Sequence, residues 1–447
     1  MTLAAVGDDF PQCLFPPEYR LLPGLREVYE LQLARLEAVI LDRQGMVDQA
    51  AFFGYVDDTP TRHLLVCAGE TLRLPQYSSA SLKQFFAANR FRTGYATHGL
   101  FPYRGKFHPQ MVRGILNTMG VCRGDIVLDP MMGSGTLPIE AALMGIDAVG
   151  FDISPFCAFM TQTKAAALTM NLDRARAALD DPAATYGYFA KRMGVAPPAR
   201  ATRSTPDRAT SRVVEDGERY VVAGHPVPDR DTADTYALLL LAFLDTMGYV
   251  QRTAGREPFG LFRGILERYL HACTRFQAIS KAHPFAMGSV IAQTGDARSI
   301  DLAGASVDGI LFSPPYSFAV DYLANDSFHI DALGHDRQAL GEKMIGMRGG
   351  PRLADKYRLY IDDMREVLAE CLRVLRPGRY CVVVIGTNRN QLAKALGTGT
   401  DEVVGLHEVL RQIGEGLGFR YAAEIPRLVN GISNTLREEV ILFLRKP

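Results

Sequence analysis

The segment from residue 125 to residue 152 constrains the fold more than any other part of the sequence. It reads DIVLDPMMGSGTLPIEAALMGIDAVGFD: a short apolar run, a glycine-rich loop, a helical stretch that Gly145 ends, and a second apolar run. Apolar strands separated by a helix of this length form a parallel βαβ unit. Similar apolar runs recur at 289–296, 307–313, 380–386 and 438–446. The sequence therefore predicts a doubly wound, mostly parallel α/β domain.

The strand and helix pattern occupies two blocks of the chain, and an insertion separates them. We predict four parts: an N-terminal α+β portion at 1–90, a first core block at 91–170, a largely helical insertion at 171–288 and a second core block at 289–447. The insertion carries no core motif, so it is a possible recognition region for a binding partner.

Three stretches outside the core carry local predictions. Residues 62–75 predict a pair of strands with a turn at Ala68 and Gly69. Residues 196–212 are rich in arginine and proline and predict a flexible loop. Residues 259–282 predict an amphipathic helix whose apolar face packs on the core and whose basic face is solvated.

Composition restricts the setting in which the protein works. The seven cysteines form no Cys-x-x-Cys pair, which indicates a reducing compartment rather than a disulfide framework. The first residues lack a basic flank followed by a long apolar run, so we expect no signal peptide. The most apolar run, at 236–244, is too short to cross a bilayer and predicts a buried helix. We therefore expect a cytoplasmic protein without a membrane partner.

The loop LDPMMGSGT, at 128–136, follows the first strand and opens a helix. Gly133 and Gly135 let the backbone bend tightly and approach a ligand, and the helix N-terminus offers free N–H groups. A P-loop requires Gly-Lys-Ser/Thr, whereas this loop continues Gly-Thr-Leu. A dinucleotide fingerprint requires a third glycine where Pro138 stands. S-adenosylmethionine is the remaining candidate ligand.

Two acidic residues end neighbouring strands near this loop. Asp152 lies 19 residues after Gly133 and suits hydrogen bonds from ribose hydroxyls, although it also suits a helix N-cap. Asp296 ends the third strand and suits the adenine amino group, although a simple turn is an equally good interpretation. Both pairs of roles stay open at the level of sequence.

The stretch ILFSPPYSF ends a buried strand on the rigid corner Ser313–Tyr316. Ligands of open α/β sheets lie at the carboxyl ends of the strands, so we expect the corner beside the glycine loop. An exocyclic base amine is a poor nucleophile because its lone pair is delocalised into the ring. The Ser313 hydroxyl and the Pro314 carbonyl can accept hydrogen bonds from the two N–H groups of the amine. The two prolines restrict the backbone that carries this carbonyl, and Tyr316 can stack on the base. Such a base must first leave its duplex.

Four segments together are similar to the S-adenosylmethionine-dependent amino-methyltransferases of DNA, which act on N4 of cytosine or N6 of adenine. These segments are HGLFPYRGKFHPQMVRGIL, VLDPMMGSGTLPIEAALMGIDAVGFDISPF, ILFSPPYSFAVDYL and LRVLRPGRYCVVVIG. The resemblance covers roughly 91–170 and 289–447. It implies a seven-stranded methyltransferase sheet, S-adenosylmethionine as cofactor, and a nucleic-acid partner, with DNA preferred over RNA. The Ser-Pro-Pro-Tyr form is more typical of the N4-cytosine enzymes.

The resemblance also assigns site residues. It places catalysis at Ser313, Pro314, Pro315 and Tyr316. It implies that the cofactor contacts Lys106, Phe107, His108, Asp129, Pro130, Met131, Gly133, Ser134, Gly135, Thr136, Asp152, Ile153, Asp296 and Ala297. The sequence shows no metal-binding pattern, and C5 methylation of cytosine is disfavoured because no Pro-Cys pair occurs.

Several alternatives remain open. The base is N4 of cytosine first, with N6 of adenine as the alternative; RNA, such as guanine N2 of tRNA, is the alternative substrate. A binding module without catalysis is a third interpretation. Candidates for contacts with phosphates are Arg200, Arg203, Arg208, Arg212, Lys343 and Arg348. The sequence leaves open whether the protein is a monomer or a homodimer and whether a restriction nuclease accompanies it.

Overall fold

A computed structural model describes residues 10–25, 27–67, 94–103, 105–195, 208–221, 229–252, 257–315, 322–428 and 438–447. The strands of this part of the chain are β1 (Tyr19–Leu21), β2 (Phe53–Val56), β3 (Thr59–Pro60), β4 (Ile126–Asp129), β5 (Asp147–Asp152), β6 (Val290–Thr294), β7 (Val307–Phe312), β8 (Leu375–Gly386), β9 (Arg420–Leu428) and β10 (Glu438–Arg445). They form a three-stranded sheet near the N-terminus and a seven-stranded main sheet.

The helices lie before, between and after these strands. They are α1 (Val28–Ile40), α2 (Arg43–Gln49), α3 (Arg62–Cys67), α4 (Pro109–Thr118), α5 (Thr136–Met144), α6 (Pro155–Ala166), α7 (Asp173–Ala177), α8 (Pro182–Arg192), α9 (Arg208–Val221), α10 (Arg230–Arg252), α11 (Pro258–Ala282), α12 (Tyr322–Ala332), α13 (Arg337–Lys343), α14 (Leu353–Val374), α15 (Arg389–Leu396) and α16 (Leu406–Leu417). Three short 3₁₀ helices cover Phe10–Leu14, Ala96–Gly99 and Thr400–Glu402.

The main sheet has the order β6-β5-β4-β7-β8-β10-β9. The strands from β6 to β8 pair in parallel, and β10 is antiparallel to both of its neighbours. This arrangement confirms the predicted doubly wound, mostly parallel, seven-stranded α/β fold. From β4 the chain adds β5 and β6 on one side, and then crosses back to place β7 on the other side of β4. The neighbouring strands β4 and β7 therefore form the topological switch point, where the ligand cleft of such sheets lies.

The core lies on both faces of the main sheet because successive side chains of a strand point to opposite faces. In β8, Val382 and Val384 pack with the helices α1 and α4, whereas Cys381 and Val383 pack with α14 and α16. A strand covered on both faces reads as a continuous apolar run, which is the pattern that predicted it.

The N-terminal portion packs onto the main sheet through α1 and α4. Leu33 and Phe52 belong to the same buried cluster as Ile115 of α4. The predicted strand pair at 62–75 is wrong over its first six residues, because Arg62–Cys67 forms α3. The Thr61 hydroxyl accepts a hydrogen bond from the Leu64 amide at 3.2 Å, which is the geometry of a helix N-cap. The rest of that pair lies outside the described residues.

The insertion is helical, as predicted, and its helices α8, α10 and α11 share one buried cluster with Phe101, Phe156 and Ile330 of the core blocks. Helix α10 contains the apolar run at 236–244. Its segment Arg230–Gln251 is long and apolar enough to span a membrane, and 78% of its most apolar window is buried inside the protein, as in a core helix. The predicted loop at 196–212 is corrected in part: α9 begins at Arg208, and the residues before it lie outside the described part of the chain.

Helix α11 matches its predicted amphipathic pattern. Its apolar face is buried: Phe262, Ile265, Leu266, Tyr269 and Cys273. On its other faces, Arg263 pairs with Glu267, Arg268 pairs with Asp245 of α10, and Arg275 donates to the Cys67 carbonyl. Arg268 and Arg275 therefore hold the helix to its neighbours, and Arg263 forms an ion pair within the helix.

Candidate active site

One cavity lies at the carboxyl ends of β4, β5, β6 and β7. Most of the predicted site residues line it: Lys106, Phe107, Asp129, Pro130, Met131, Gly133, Ser134, Thr136, Asp152, Ile153, Asp296, Ala297, Ser313, Pro314 and Pro315. His108 and Gly135 are not among its lining residues, and Tyr316 lies outside the described residues. The tertiary structure thus joins the glycine loop and the Pro-Pro corner in one cavity.

Gly133 has the backbone conformation that the loop requires. Its φ is +48°, and among the described residues a Cβ at this position would meet the Tyr103 ring alone, at 3.5 Å. Its amide donates to Asp152 Oδ2 at 2.8 Å. The loop is therefore tied to the end of β5 at the residue that borders the cavity.

Gly135 has a different reason to be glycine. Its φ is +74°, and a Cβ would lie 2.4 Å from Thr161 Oγ1 and 2.9 Å from Thr161 Cβ, inside the core. Gly135 thus allows α5 to begin against α6, while Gly133 borders the ligand side. The missing side chain of Gly135 makes room for Thr161, and the contact expected between Gly135 and a cofactor stays a prediction.

Two carboxylates, the buried Asp129 and the half-buried Asp152, support the loop. Asp129, at the end of β4, is 1% exposed and accepts from the Met131 amide at 3.1 Å. Asp152 accepts from the Ser154 amide at 2.9 Å as well as from Gly133, so it also organises the start of α6. Burial raises the pKa of Asp129 well above its ordinary value and raises the pKa of Asp152. Both groups would gain from a ligand that offers hydrogen-bond donors or positive charge.

Asp296 lines the cavity and is paired with Arg298. The Arg298 guanidinium donates to both carboxylate oxygens of Asp296, at 2.9 and 2.7 Å. Burial raises the pKa of Asp296, but these hydrogen bonds bring it below its ordinary value. Arg298 also binds Asp363 of α14 at 2.7 Å and the Lys343 carbonyl at 2.7 Å. The segment after α13, which closes one side of the cavity, is therefore anchored through Arg298.

Two lysines lie beneath and beside the glycine loop. Lys106 lines the cavity and donates to the His98 carbonyl at 2.9 Å, and burial lowers its pKa from 10.5 to about 8. Lys164 of α6 is 1% exposed and donates to the Ser134 carbonyl at 3.0 Å. Burial lowers the pKa of Lys164 well below its ordinary value. His108 occupies the N-cap position of α4, makes no side-chain capping hydrogen bond there, and is not among the residues that line the cavity.

The corner after β7 carries Ser313, Pro314 and Pro315 into the cavity. The hydroxyl of Tyr360, a fully buried residue of α14, donates to the Pro315 carbonyl at 2.9 Å. A core helix therefore holds the corner from behind. The stacking role predicted for Tyr316 stays a prediction.

Sequence reasoning missed several lining residues. Tyr103 and Asp326 face each other across the cavity wall, with Tyr103 Oη 3.3 Å from Asp326 Oδ2. Leu323 and Ile330 line the cavity with Asp326. Their spacing of three and four residues places them on one face of α12, and this spacing directly after the corner is the signal that could have found them.

The cavity is acidic and otherwise largely apolar. Among its described lining residues, four are aspartates and two are lysines. An acidic, low-dielectric cleft favours a cationic ligand. The sulfonium, amino group and ribose hydroxyls of S-adenosylmethionine offer positive charge and donors, so the residues present fit this cofactor.

Residues 100–190, which contain the loop and both of its carboxylates, match the model of the RMKL-like, methyltransferase domain family. The chain contains a methyltransferase domain. S-adenosylmethionine is the cofactor of this class, as the glycine loop predicted. The match ends within α8 and does not include the corner at Ser313–Pro315.

Short stretches of the chain are similar to curated proteins. A type II methyltransferase, M.MjaII, of Methanocaldococcus jannaschii is 46% identical over 67 residues, which are 15% of this chain and 12% of that protein. M.BsoBI of Geobacillus stearothermophilus is 32% identical over 76 residues, 17% of this chain and 15% of that protein. A tRNA (guanine(10)-N2)-dimethyltransferase of Methanothermobacter thermautotrophicus is 47% identical over 53 residues, 12% of this chain and 16% of that protein. The chain thus spans less than a fifth of each of these relatives.

Solved structures of methyltransferases are distant. A SAM-dependent methyltransferase from Methanosarcina mazei is 11% identical, with 73% of this chain and 94% of that chain covered and a TM-score of 0.32. TrmN from Thermus thermophilus is 13% identical, with 77% and 50% covered and a TM-score of 0.27. Similarities of this size do not bear on the substrate of the methyltransferase domain.

Proposed function

We propose that the protein transfers a methyl group from S-adenosylmethionine to the exocyclic amine of a flipped base in DNA, with N4 of cytosine as the first choice. The observation that carries this proposal is the opening of the Ser313–Pro315 corner into the same cavity as the Gly133 loop. Two matched relatives are type II methyltransferases, and the Ser-Pro-Pro-Tyr form favours cytosine.

The corner supplies acceptors for the amine. The Ser313 hydroxyl and the Pro314 carbonyl take hydrogen bonds from its two protons, which favours a pyramidal nitrogen with an available lone pair. Tyr360 fixes the Pro315 carbonyl, and the two prolines restrict φ, so the acceptors keep their positions before the base arrives. The bound cofactor supplies the activated methyl group.

The cofactor is held by the residues of the cavity floor. Asp152 would accept hydrogen bonds from the ribose hydroxyls, and its bond to the Gly133 amide holds the loop in place. Asp129 and Lys106 lie beside the loop, and Asp296, oriented by Arg298, would accept from the adenine amino group. Met131 and Ile153 supply apolar contact.

DNA contact is assigned to basic side chains around the cavity and in the insertion. Lys343 lines the cavity. Arg348 donates to Asp363 at 2.9 Å, and about one-third of the Arg348 side chain is exposed. The remaining candidates are Arg200, Arg203, Arg208 and Arg212. Contacts of this kind supply affinity without sequence choice.

Two alternatives keep the chemistry and change the acceptor. N6 of adenine fits the same pair of hydrogen-bond acceptors. RNA is favoured by one matched relative, the tRNA (guanine(10)-N2)-dimethyltransferase. The free state of the seven cysteines, all of them in the described part of the chain, supports a cytoplasmic location, and a role in a restriction–modification pair follows if DNA is the substrate.

The test is to incubate the full chain with methyl-labelled S-adenosylmethionine and either unmethylated genomic DNA or total tRNA, and to identify the modified nucleoside. N4-methylcytosine in DNA is the expected product. If the product is N6-methyladenine in DNA, the proposed target base is wrong and adenine takes its place. If it is N2-methylguanine in tRNA, the proposed nucleic acid is wrong and RNA takes its place. No label in either polymer would overturn the proposal.

A further inference from the structure

Four carboxylates border the cavity, and three of them have the same structural origin. Asp129 and Asp152 end β4 and β5, and Asp296 follows β6. Asp326 comes from a different element, α12, which is the first described helix after the corner. Asp326 therefore reaches the cavity that it shares with Ser313 from a helix and not from a strand end.

The position of Asp326 is set by the packing of α12. His329, one turn further on, is 2% exposed and stacks on Phe156 with ring centroids 4.6 Å apart. Its Nε2 lies 3.1 Å from the Leu244 carbonyl of α10. Helix α12 is therefore anchored on the inner side at His329, while Asp326, half-buried, faces the cavity.

Tyr103 connects Asp326 to the glycine loop. Its hydroxyl lies 3.3 Å from Asp326 Oδ2, and its ring lies 3.5 Å from the position of a Cβ on Gly133. The Cys157 thiol donates to the same hydroxyl at 3.5 Å. The carboxylate is thus oriented, and only the width of a tyrosine ring separates it from the loop that borders the methyl donor.

Among the charged and titratable groups around it, Asp326 is the one suited to accept a proton on this side of the cavity. Burial raises the pKa of Tyr103 and the pKa of Cys157 well above their ordinary values, so both stay neutral at neutral pH. Asp152 lies beyond them, Lys343 lines the same cavity, and the ring of His329 points to the Leu244 carbonyl. The corner itself offers a hydroxyl and carbonyls, which do not hold a proton at neutral pH.

We propose that Asp326 is a catalytic residue that accepts a hydrogen bond from the substrate's exocyclic amine and takes up the proton released on methylation. This inference rests on the proposed function. The amine nitrogen forms a bond to the methyl carbon as the bond from that carbon to the sulfonium sulfur breaks, and the electron pair stays on sulfur. The nitrogen, now positively charged, passes one proton to the Asp326 carboxylate, so charge and atoms balance.

The test compares Asp326→Asn with Asp331→Asn, an exposed aspartate at the far end of the same helix that pairs with Arg337. For Asp326→Asn we expect kcat to fall by about 100-fold to 10,000-fold, the usual range for a lost general base. The fall of the parent's rate towards acid pH should disappear in this variant. Thermal unfolding and calorimetric binding of S-adenosylhomocysteine should match the parent, and Asp331→Asn should change none of these quantities.

A second variant, Tyr103→Phe, should lower kcat by roughly tenfold and keep the acid limb of the pH profile, since it removes one hydrogen bond to the carboxylate. If Asp326→Asn transfers methyl groups within twofold of the parent and with the same pH profile, the role of Asp326 is wrong while the proposed function stands. If the parent itself labels neither DNA nor tRNA, both fall together.

Discussion

The hydroxyl of Tyr360 donates to the carbonyl of Pro315 at 2.9 Å, and this bond joins the core of α14 to the corner of the cavity. Tyr360 is fully buried in the same cluster as Phe312, the last residue of β7. A carbonyl that follows two restricted φ angles has little freedom left, and the buried donor removes most of the remainder. The corner is therefore held rigidly, as its proposed role as a hydrogen-bond acceptor requires.

We predict that Tyr360→Phe lowers methyl transfer by about tenfold and leaves the affinity for S-adenosylhomocysteine unchanged. One hydrogen bond of this kind contributes about 1 kcal/mol to the position of the corner. Single-turnover rates and calorimetric binding measure the two quantities. Tyr357→Phe, one turn earlier on α14, is the matched control, and an equal loss in both variants would contradict the positioning role.

The corner residues themselves give a second prediction. The double variant Ser313→Ala/Tyr316→Ala should lose transfer by roughly 100-fold or more, because it removes an acceptor and the stacking ring. Its cofactor affinity should match the parent, since neither residue belongs to the glycine loop. A variant that transfers methyl groups as fast as the parent would show that the chemistry takes place elsewhere.

Replacing each of the two loop glycines by alanine is predicted to lower the free energy of unfolding by different amounts. Gly135→Ala should lower the free energy of unfolding by about 3 kcal/mol, because its Cβ would collide with Thr161 and its φ is positive. Gly133→Ala should cost about 1 kcal/mol, the strain of a positive φ alone. Denaturant unfolding of both variants decides the matter, and equal costs would refute the separation of their roles.

A buried carboxylate in the N-terminal portion predicts a dependence of stability on pH. Glu37 is fully buried, and although Asn117 and two backbone amides donate to it, burial raises its pKa from 4.5 to about 7. The folded state then binds the proton more tightly than the unfolded state. The stability that protonation contributes is present below about pH 4.5 and is lost as pH rises through about 7.

Between about pH 4.5 and 8 the free energy of unfolding should fall by about 3 kcal/mol through Glu37, and Glu37→Gln should abolish this fall. The measurement is the free energy of unfolding of parent and variant at several pH values between about 4.5 and 8. Glu140 does not interfere, because burial raises its pKa but Arg113 and His98 bring it to about 2, below this window. Parallel pH curves for the two proteins would contradict the shift.

Binding of DNA should weaken steeply with salt. If all six candidate residues contact phosphates, the logarithm of the affinity falls against the logarithm of salt concentration with a slope of about −5. Arg203→Ala should reduce this slope by about one. Arg263→Ala, which removes a cation paired with Glu267, is the control and should leave the slope unchanged. A slope near zero would show that these residues are not the contact surface.

Much of the fold followed from local pattern. The strands β4, β5, β7 and β10 and the second half of β8 are apolar runs because they lie inside the sheet and are covered on both faces, whereas the edge strand β6 is largely exposed. The edge strand β9 lacks such a run, since most of its residues are exposed, and no apolar pattern marked it. The short apolar stretch at 62–67 suits a strand or a helix equally, and the Thr61 cap decided for the helix.

By itself, the sequence determined the order of strands and helices, the glycine loop, the stiff corner and the class of cofactor, because backbone conformation and apolar periodicity are local properties. Only the tertiary structure decided which side chains meet. It placed Gly135 against Thr161, Tyr360 behind Pro315, and Tyr103 beside Asp326. Each of these contacts joins residues that are distant along the chain, and their distances depend on how whole helices pack on the sheet.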